Sequence, residues 1–153
     1  MDITEQVLAA FQVEYREHLE GIHAMLIRLE NAGAEDAREC IDQAFRLAHS
    51  LKGGARVCNL RPVEELGHRL EAVFEQVRNG KLRLDAAAVA TIRSVLDAVE
   101  DWMAAREHDD DPPMSPAAAA ALERLLDRSV PAAAESEPTP SDAKRRRLLT
   151  AFR

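Results

Sequence analysis

Apolar residues recur at three- and four-residue intervals through four successive segments, and each segment closes on a Gly or Asn signal or a run of Asp and Pro. That periodicity limits the chain to amphipathic helices with one buried face each. Leu8, Phe11, Tyr15, Leu19, Ile22, Leu26 and Leu29 share a face of a helix from about Ile3 to Leu29. Asn31-Ala32-Gly33 supplies the stop, because Asn and Gly tolerate the left-handed conformation that ends helices. A second helix runs from Ala34 to about Cys58, with Ile41, Ala44, Ala48, Leu51, Ala55 and Cys58 as its stripe. Most of these are small, so a neighbouring helix can approach closely, and Asn59 is the left-handed terminator. Pro62 opens the third helix, where a missing N–H costs nothing. Val63, Leu66, Leu70, Val73, Phe74 and Val77 form its buried face before Asn79-Gly80. Asp85 is the N-cap of a fourth helix bearing Val89, Ile92, Leu96, Val99 and Met103, with Trp102 beside the stripe.

Short loops between such helices make sequential neighbours antiparallel. The expected fold is all-α: an up-down antiparallel four-helix bundle over residues 1–108 with an additional C-terminal helix over 114–129. Asp109-Asp110-Asp111-Pro112-Pro113 breaks the pattern between them. Ser115 caps the fifth helix, Pro116 takes its first position, and Leu122, Leu125 and Leu126 are its contact residues. From Val130 to about Asp142 the composition is Pro, Ala, Ser and Glu, as in a linker. Leu148-Leu149-Thr150-Ala151-Phe152-Arg153 echoes Val7-Leu8-Ala9-Ala10-Phe11-Gln12. Residues 130–153 are therefore expected to be a linker entering a second module.

A net charge of −7 argues against non-specific nucleic-acid binding and favours a protein partner. No stretch is long and apolar enough to cross a bilayer, and Met1-Asp2-Ile3-Thr4-Glu5 lacks a basic-then-apolar export signal. The expected location is cytoplasmic. Cys40 and Cys58 stand about 27 Å apart along the second helix at 1.5 Å per residue, too far to bridge, and free thiols suit a reducing compartment.

His49 lies beside the stripe of the second helix, at Ala48 and Leu51, and so points toward solvent. Arg46, Lys52 and Arg56 surround it at helical spacing, a cationic set that attracts phosphoryl groups and acidic sites. Gly53-Gly54 sits inside the helix, where each Gly costs up to about 1 kcal/mol relative to Ala. A missing side chain one turn below His49 leaves room for another protein to reach the ring. A nucleophilic histidine must be neutral, and a carboxylate accepting from one ring nitrogen leaves the other free to attack. Glu71 on the third helix is the candidate, with His68 one turn before it.

Phe45-Arg46-Leu47-Ala48-His49-Ser50-Leu51-Lys52-Gly53-Gly54-Ala55, followed by His68-x-x-Glu71, resembles the histidine phosphotransfer (HPt) family. It is most similar to the N-terminal module of CheA-like chemotaxis histidine kinases. The resemblance extends from about Phe11 through Gly80 and more loosely through Trp102. It implies that His49 carries a phosphoryl group on Nε2, Glu71 holds Nδ1–H, Lys52 contacts the phosphoryl group and His68 lies in the site. Gly53 would admit the partner, with Arg46 and Arg56 on the docking surface. The implied partners are a kinase ATP-binding domain, on the same longer polypeptide, and a response-regulator receiver that takes the phosphoryl group onto an Asp. The chain departs from the family in carrying Arg56 and Asn59 where glycines are frequent, and Val13 where a further acid often neighbours Glu14. No glycine-rich phosphate cradle appears, so the chain is not an enzyme alone and needs no cofactor; ATP and Mg²⁺ would belong to its partners. His18, His23 and His108 are expected at the surface.

Two other classes compete. Glu20-x-x-His23 and Glu65-x-x-His68 match the pair used by carboxylate-bridged di-metal bundles, which also need an inward Glu on each remaining helix. Glu39 and Glu100 are the nearest candidates, and neither is on its stripe. The last class is a structural interaction bundle without chemistry.

Overall fold

The computed structural model describes residues 2–129. They form α1 (Ile3–Leu29), α2 (Ala34–Val57), α3 (Arg61–Arg78), α4 (Ala86–Ala105) and α5 (Pro116–Asp127). The result is an all-α bundle in which α1 packs on α2 and α4, α2 on α3, and α3 on α4. α5 lies against α3 and α4. The expected linker and its possible second module fall outside the described residues.

Local signals start and stop the helices. Asp2 closes a capping box with Glu5 at the head of α1, and the Asp85 carboxylate accepts from the Ala88 amide at the head of α4. Asn59 takes the left-handed conformation at φ 57° and Gly80 at φ 76°, as their positions after α2 and α3 require. Three expectations are corrected. No residue from Asn31 to Gly33 is left-handed; Gly33 is extended and serves as N-cap of α2, so α1 ends by handing the chain straight to the next cap. Pro62 stands second in α3 after Arg61, still within the first turn where its missing N–H is harmless. Ser115 precedes α5 but makes no side-chain cap, leaving Pro116 as the starting signal.

The stripes converge on one core. Phe11, Tyr15, Leu19, Ile22, Leu26, Leu51, Leu66, Leu70, Phe74, Ile92 and Leu96 are all buried. Leu8, Leu29, Val77, Val89 and Leu126, at the ends of their stripes, are half-buried. Trp102 belongs to the core and not beside it, and its indole N–H donates to the Pro112 carbonyl at 2.7 Å. That bond satisfies a buried donor and turns the chain toward α5. Ala118, Leu122 and Leu125 bury α5, and ion pairs Arg69–Glu123 (3.0 Å) and Arg128–Asp85 (2.6 Å) fasten it to α3 and to the start of α4.

The two central glycines of α2 have different causes. A Cβ on Gly54 would lie 2.6 Å from the buried Phe11 ring, whereas one on Gly53 would meet nothing within 4 Å. Gly54 is thus the seat of an α1 aromatic. Gly54→Ala is expected to cost about 1–3 kcal/mol by overpacking. Gly53→Ala is expected to gain up to about 1 kcal/mol from helix propensity. Urea unfolding of the two variants checks the opposite signs.

Candidate functional site

The site is built on the seam between α2 and α3. Three side-chain pairs mark its register: Asp42 with Arg78 at 3.9 Å, His49 with Glu71 at 2.7 Å, and Arg56 with Glu64 at 3.9 Å. Each advance of seven residues along α2 is matched by a retreat of seven along α3. The helices are therefore antiparallel and in a two-turn register, and His49 with Glu71 is the central rung. The close approach is set by Gly67, whose Cβ would stand 3.1 Å from the Lys52 backbone. Gly67 and Glu71 are four residues apart and share a face, as His49 and Lys52 do three apart. Bringing Gly67 against Lys52 therefore delivers Glu71 to both side chains.

Glu71 is the hub. Oε2 lies 2.7 Å from His49 Nδ1, and Lys52 Nζ lies 2.9 Å from Oε2 and 3.1 Å from Oε1. Its side chain is 17% exposed and that of Lys52 23%, while the imidazole is 63% exposed. Partial burial by itself pushes the Glu71 carboxyl up. Hydrogen bonds from Lys52 and His49, together with their charges, outweigh burial and hold it below the usual carboxylate range. An ionised carboxylate only accepts, so Nδ1 carries the proton and donates it to Oε2. In the neutral form of the ring, Nε2 is then the nitrogen with the free lone pair.

The other sequence candidates divide. Gly53 leaves open space one turn below His49, and Arg46 is exposed on the same helix. Arg56 is 79% exposed at the next rung. His68 is exposed and makes no hydrogen bond to His49 or Glu71, and it lines a groove together with Lys52, Arg56 and Arg69. His108 is exposed as expected, but His18 and His23 are half-buried, and His18 Nδ1 is buried without a partner. The di-metal ligand set does not assemble. Glu20, Glu39, Glu65 and Glu100 are exposed, and among the described residues no three His, Cys, Asp or Glu gather as metal ligands. Among the same residues no helix is long and apolar enough to cross a membrane, and Cys40 and Cys58 are free. Sequence reasoning missed Gly67. Its signal was available, as a helix-interior Gly four residues before the key carboxylate.

An exposed imidazole on one helix of a bundle, oriented by a carboxylate from the next, is the arrangement of a histidine phosphotransfer module. The chain belongs to the Hpt domain family, whose model matches residues 6–102. Among its relatives, the chemotaxis protein CheA of Treponema pallidum (strain Nichols) is 26% identical over 102 residues, 67% of this chain and 12% of the relative. Chemotaxis protein CheA of Borreliella burgdorferi is 28% identical over 102 residues, with the same coverage. CheA of Cereibacter sphaeroides is 28% identical over 142 residues, 90% of this chain and 20% of the relative. The chain thus spans between 12% and 20% of the length of these relatives. No solved structure matches it significantly.

Two outcomes are expected. The stability that Glu71 contributes is full above the ordinary glutamate value of about 4.3 and is lost as pH falls through its lower folded value. Glu71→Gln lacks that contribution, so its unfolding free energy, from urea titrations at pH 6 and pH 3, falls less on acidification than that of the parent chain. Gly67→Ala pushes α3 off Lys52 and lengthens the His49–Glu71 contact. A weakened hydrogen-bonded Nδ1–H signal of His49 by NMR, with the helical circular dichroism retained, checks it.

Proposed function

We propose that His49 accepts a phosphoryl group from a histidine kinase ATP-binding domain and passes it to an aspartate of a response-regulator receiver. The observation that carries this reading is the 2.7 Å contact of His49 Nδ1 with Glu71 on a ring whose side chain is 63% exposed. The Nε2 lone pair attacks the γ-phosphorus of ATP; the N–P bond forms, the bond to the β-phosphate oxygen breaks, and ADP leaves. Nδ1 keeps its proton, so the ring becomes cationic as the bond forms, and the Glu71 carboxylate stabilises that charge. Attack of the receiver carboxylate on phosphorus then breaks N–P, forms an acyl phosphate and returns the neutral imidazole.

The remaining roles follow from position. Glu71 orients the ring, Lys52 contacts the phosphoryl group from beside Glu71, and Arg46, Gly53 and Arg56 form the docking surface. Where family members often have glycine, Arg56 adds an exposed charge to that surface, and Asn59 preserves the left-handed turn. Residues 1–108 would be the phosphoacceptor domain and α5 its accessory helix. The greater length of the CheA relatives leaves room for a kinase region on the same polypeptide, in the cytoplasm.

Incubation with a CheA-type kinase and radiolabelled ATP is expected to place one alkali-stable, acid-labile phosphate on the chain. His49→Gln abolishes it, and Glu71→Gln slows labelling by about 10–100-fold. Equal labelling of His49→Gln would refute the assignment and favour a structural bundle.

A further inference from the structure

A second feature lies on the same seam, toward the start of α2. Arg38, Arg78 and Arg83 ring a hollow of about 380 Å³ whose floor includes Ile41, Val77 and Leu82. No carboxylate lines it, in a chain whose net charge is −7. Arg78 is engaged by Asp42 and by the Phe45 ring, whose centroid is 4.4 Å from its guanidinium carbon. Arg38 and Arg83 are exposed and form no ion pair within 4 Å among the described residues, although Arg83 is near enough to Asp85 to favour its charged form. Exposed guanidinium groups not held in close ion pairs, at the edge of an apolar surface, suit carboxylates that flank an apolar side chain.

The hollow is placed to serve His49. Arg38 precedes His49 by eleven residues, three turns of α2, which puts it on nearly the same face at roughly 16 Å. A standard interface covers about 800 Å² per partner, a disc of about 16 Å radius. A partner centred on His49 therefore reaches the hollow at its rim. Charge decides which partner. An aspartate that accepts a phosphoryl group works with a divalent cation held by further carboxylates, so its face is acidic.

We infer that this arginine-ringed hollow is a rim docking point for the acidic receiver that takes the phosphoryl group from His49, seating an apolar side chain between receiver carboxylates. The inference rests on the proposed phosphotransfer. Rim charges act on association rate and salt dependence more than on the chemical step.

The experiment measures transfer from phosphorylated His49 to the cognate receiver in Arg38→Glu and Arg83→Glu. Arg124→Glu on the exposed side of α5 is the control of equal charge change. The two hollow variants are expected to lower kcat/KM for transfer about three- to fivefold at low ionic strength, through KM, with the deficit fading as salt is raised. Arg124→Glu, and labelling of all three by the kinase, change less than about twofold. Hollow variants that transfer like Arg124→Glu, or that lose kinase labelling as much as receiver transfer, overturn the inference while leaving His49 labelled. An unlabelled His49 in the parent chain instead defeats the phosphotransfer reading, and this inference with it.

Discussion

The closeness of α2 to α3 at Gly67 and Lys52 governs the geometry of everything near His49. Where two helices meet through bulky side chains their axes stand about 10 Å apart; with glycine at the crossing they approach toward 8 Å. Here the α3 backbone comes against the α2 backbone, with no room for a methyl group in unstrained contact. One turn further along α3, that closeness becomes a 2.7 Å contact between Glu71 and His49. The small residues of the α2 stripe, Ala44, Ala48 and Ala55, prepare the same approach from the other side.

Glu71 then resolves an electrostatic conflict. A half-buried carboxylate is disfavoured by desolvation, yet Lys52 and His49 together favour its charged form by more. Because Lys52 spans both oxygens, the carboxylate is fixed in orientation as well as in charge. The consequence for His49 is a defined tautomer on a side chain otherwise free to turn in solvent. A surface histidine without this support would divide between tautomers and rotamers, and only a fraction would present a lone pair outward.

The remainder of the bundle holds that seam in place. Phe11 fills the space left by Gly54 and anchors α1 against α2. Trp102 and its bond to Pro112 fix the path from α4 to α5, and Arg69–Glu123 ties α5 to the helix that bears Glu71. These contacts lie away from His49 and leave the outward face of α2 uncovered. Gly53 opens that face further, and it has no internal packing role to explain it.

Much of this was legible in the residues alone. The extent of α1, the start of α2, the Asp85 cap, the left-handed Asn59 and the core stripes follow from periodicity and capping chemistry, which act within a few residues. His49, Lys52 and Glu71 were legible as a group because their spacing on two adjacent helices resembles a known family. What the sequence could not decide was rotation and separation between helices, since these depend on volumes contributed by residues far apart in the chain. Gly54 reads as a flexible or open position until Phe11 is seen against it, and Gly67 reads as a helix defect until Lys52 is. His68 and Glu71 both flank the α3 stripe, and of the two only Glu71 makes a hydrogen bond to His49. Local hydrophobic order along the chain thus determined the helices, and the family resemblance singled out His49 as the candidate reactive side chain. The packing of one helix backbone on another decided which carboxylate reaches it, because glycine at the crossing lets α3 come close enough to α2 for Glu71 to meet His49.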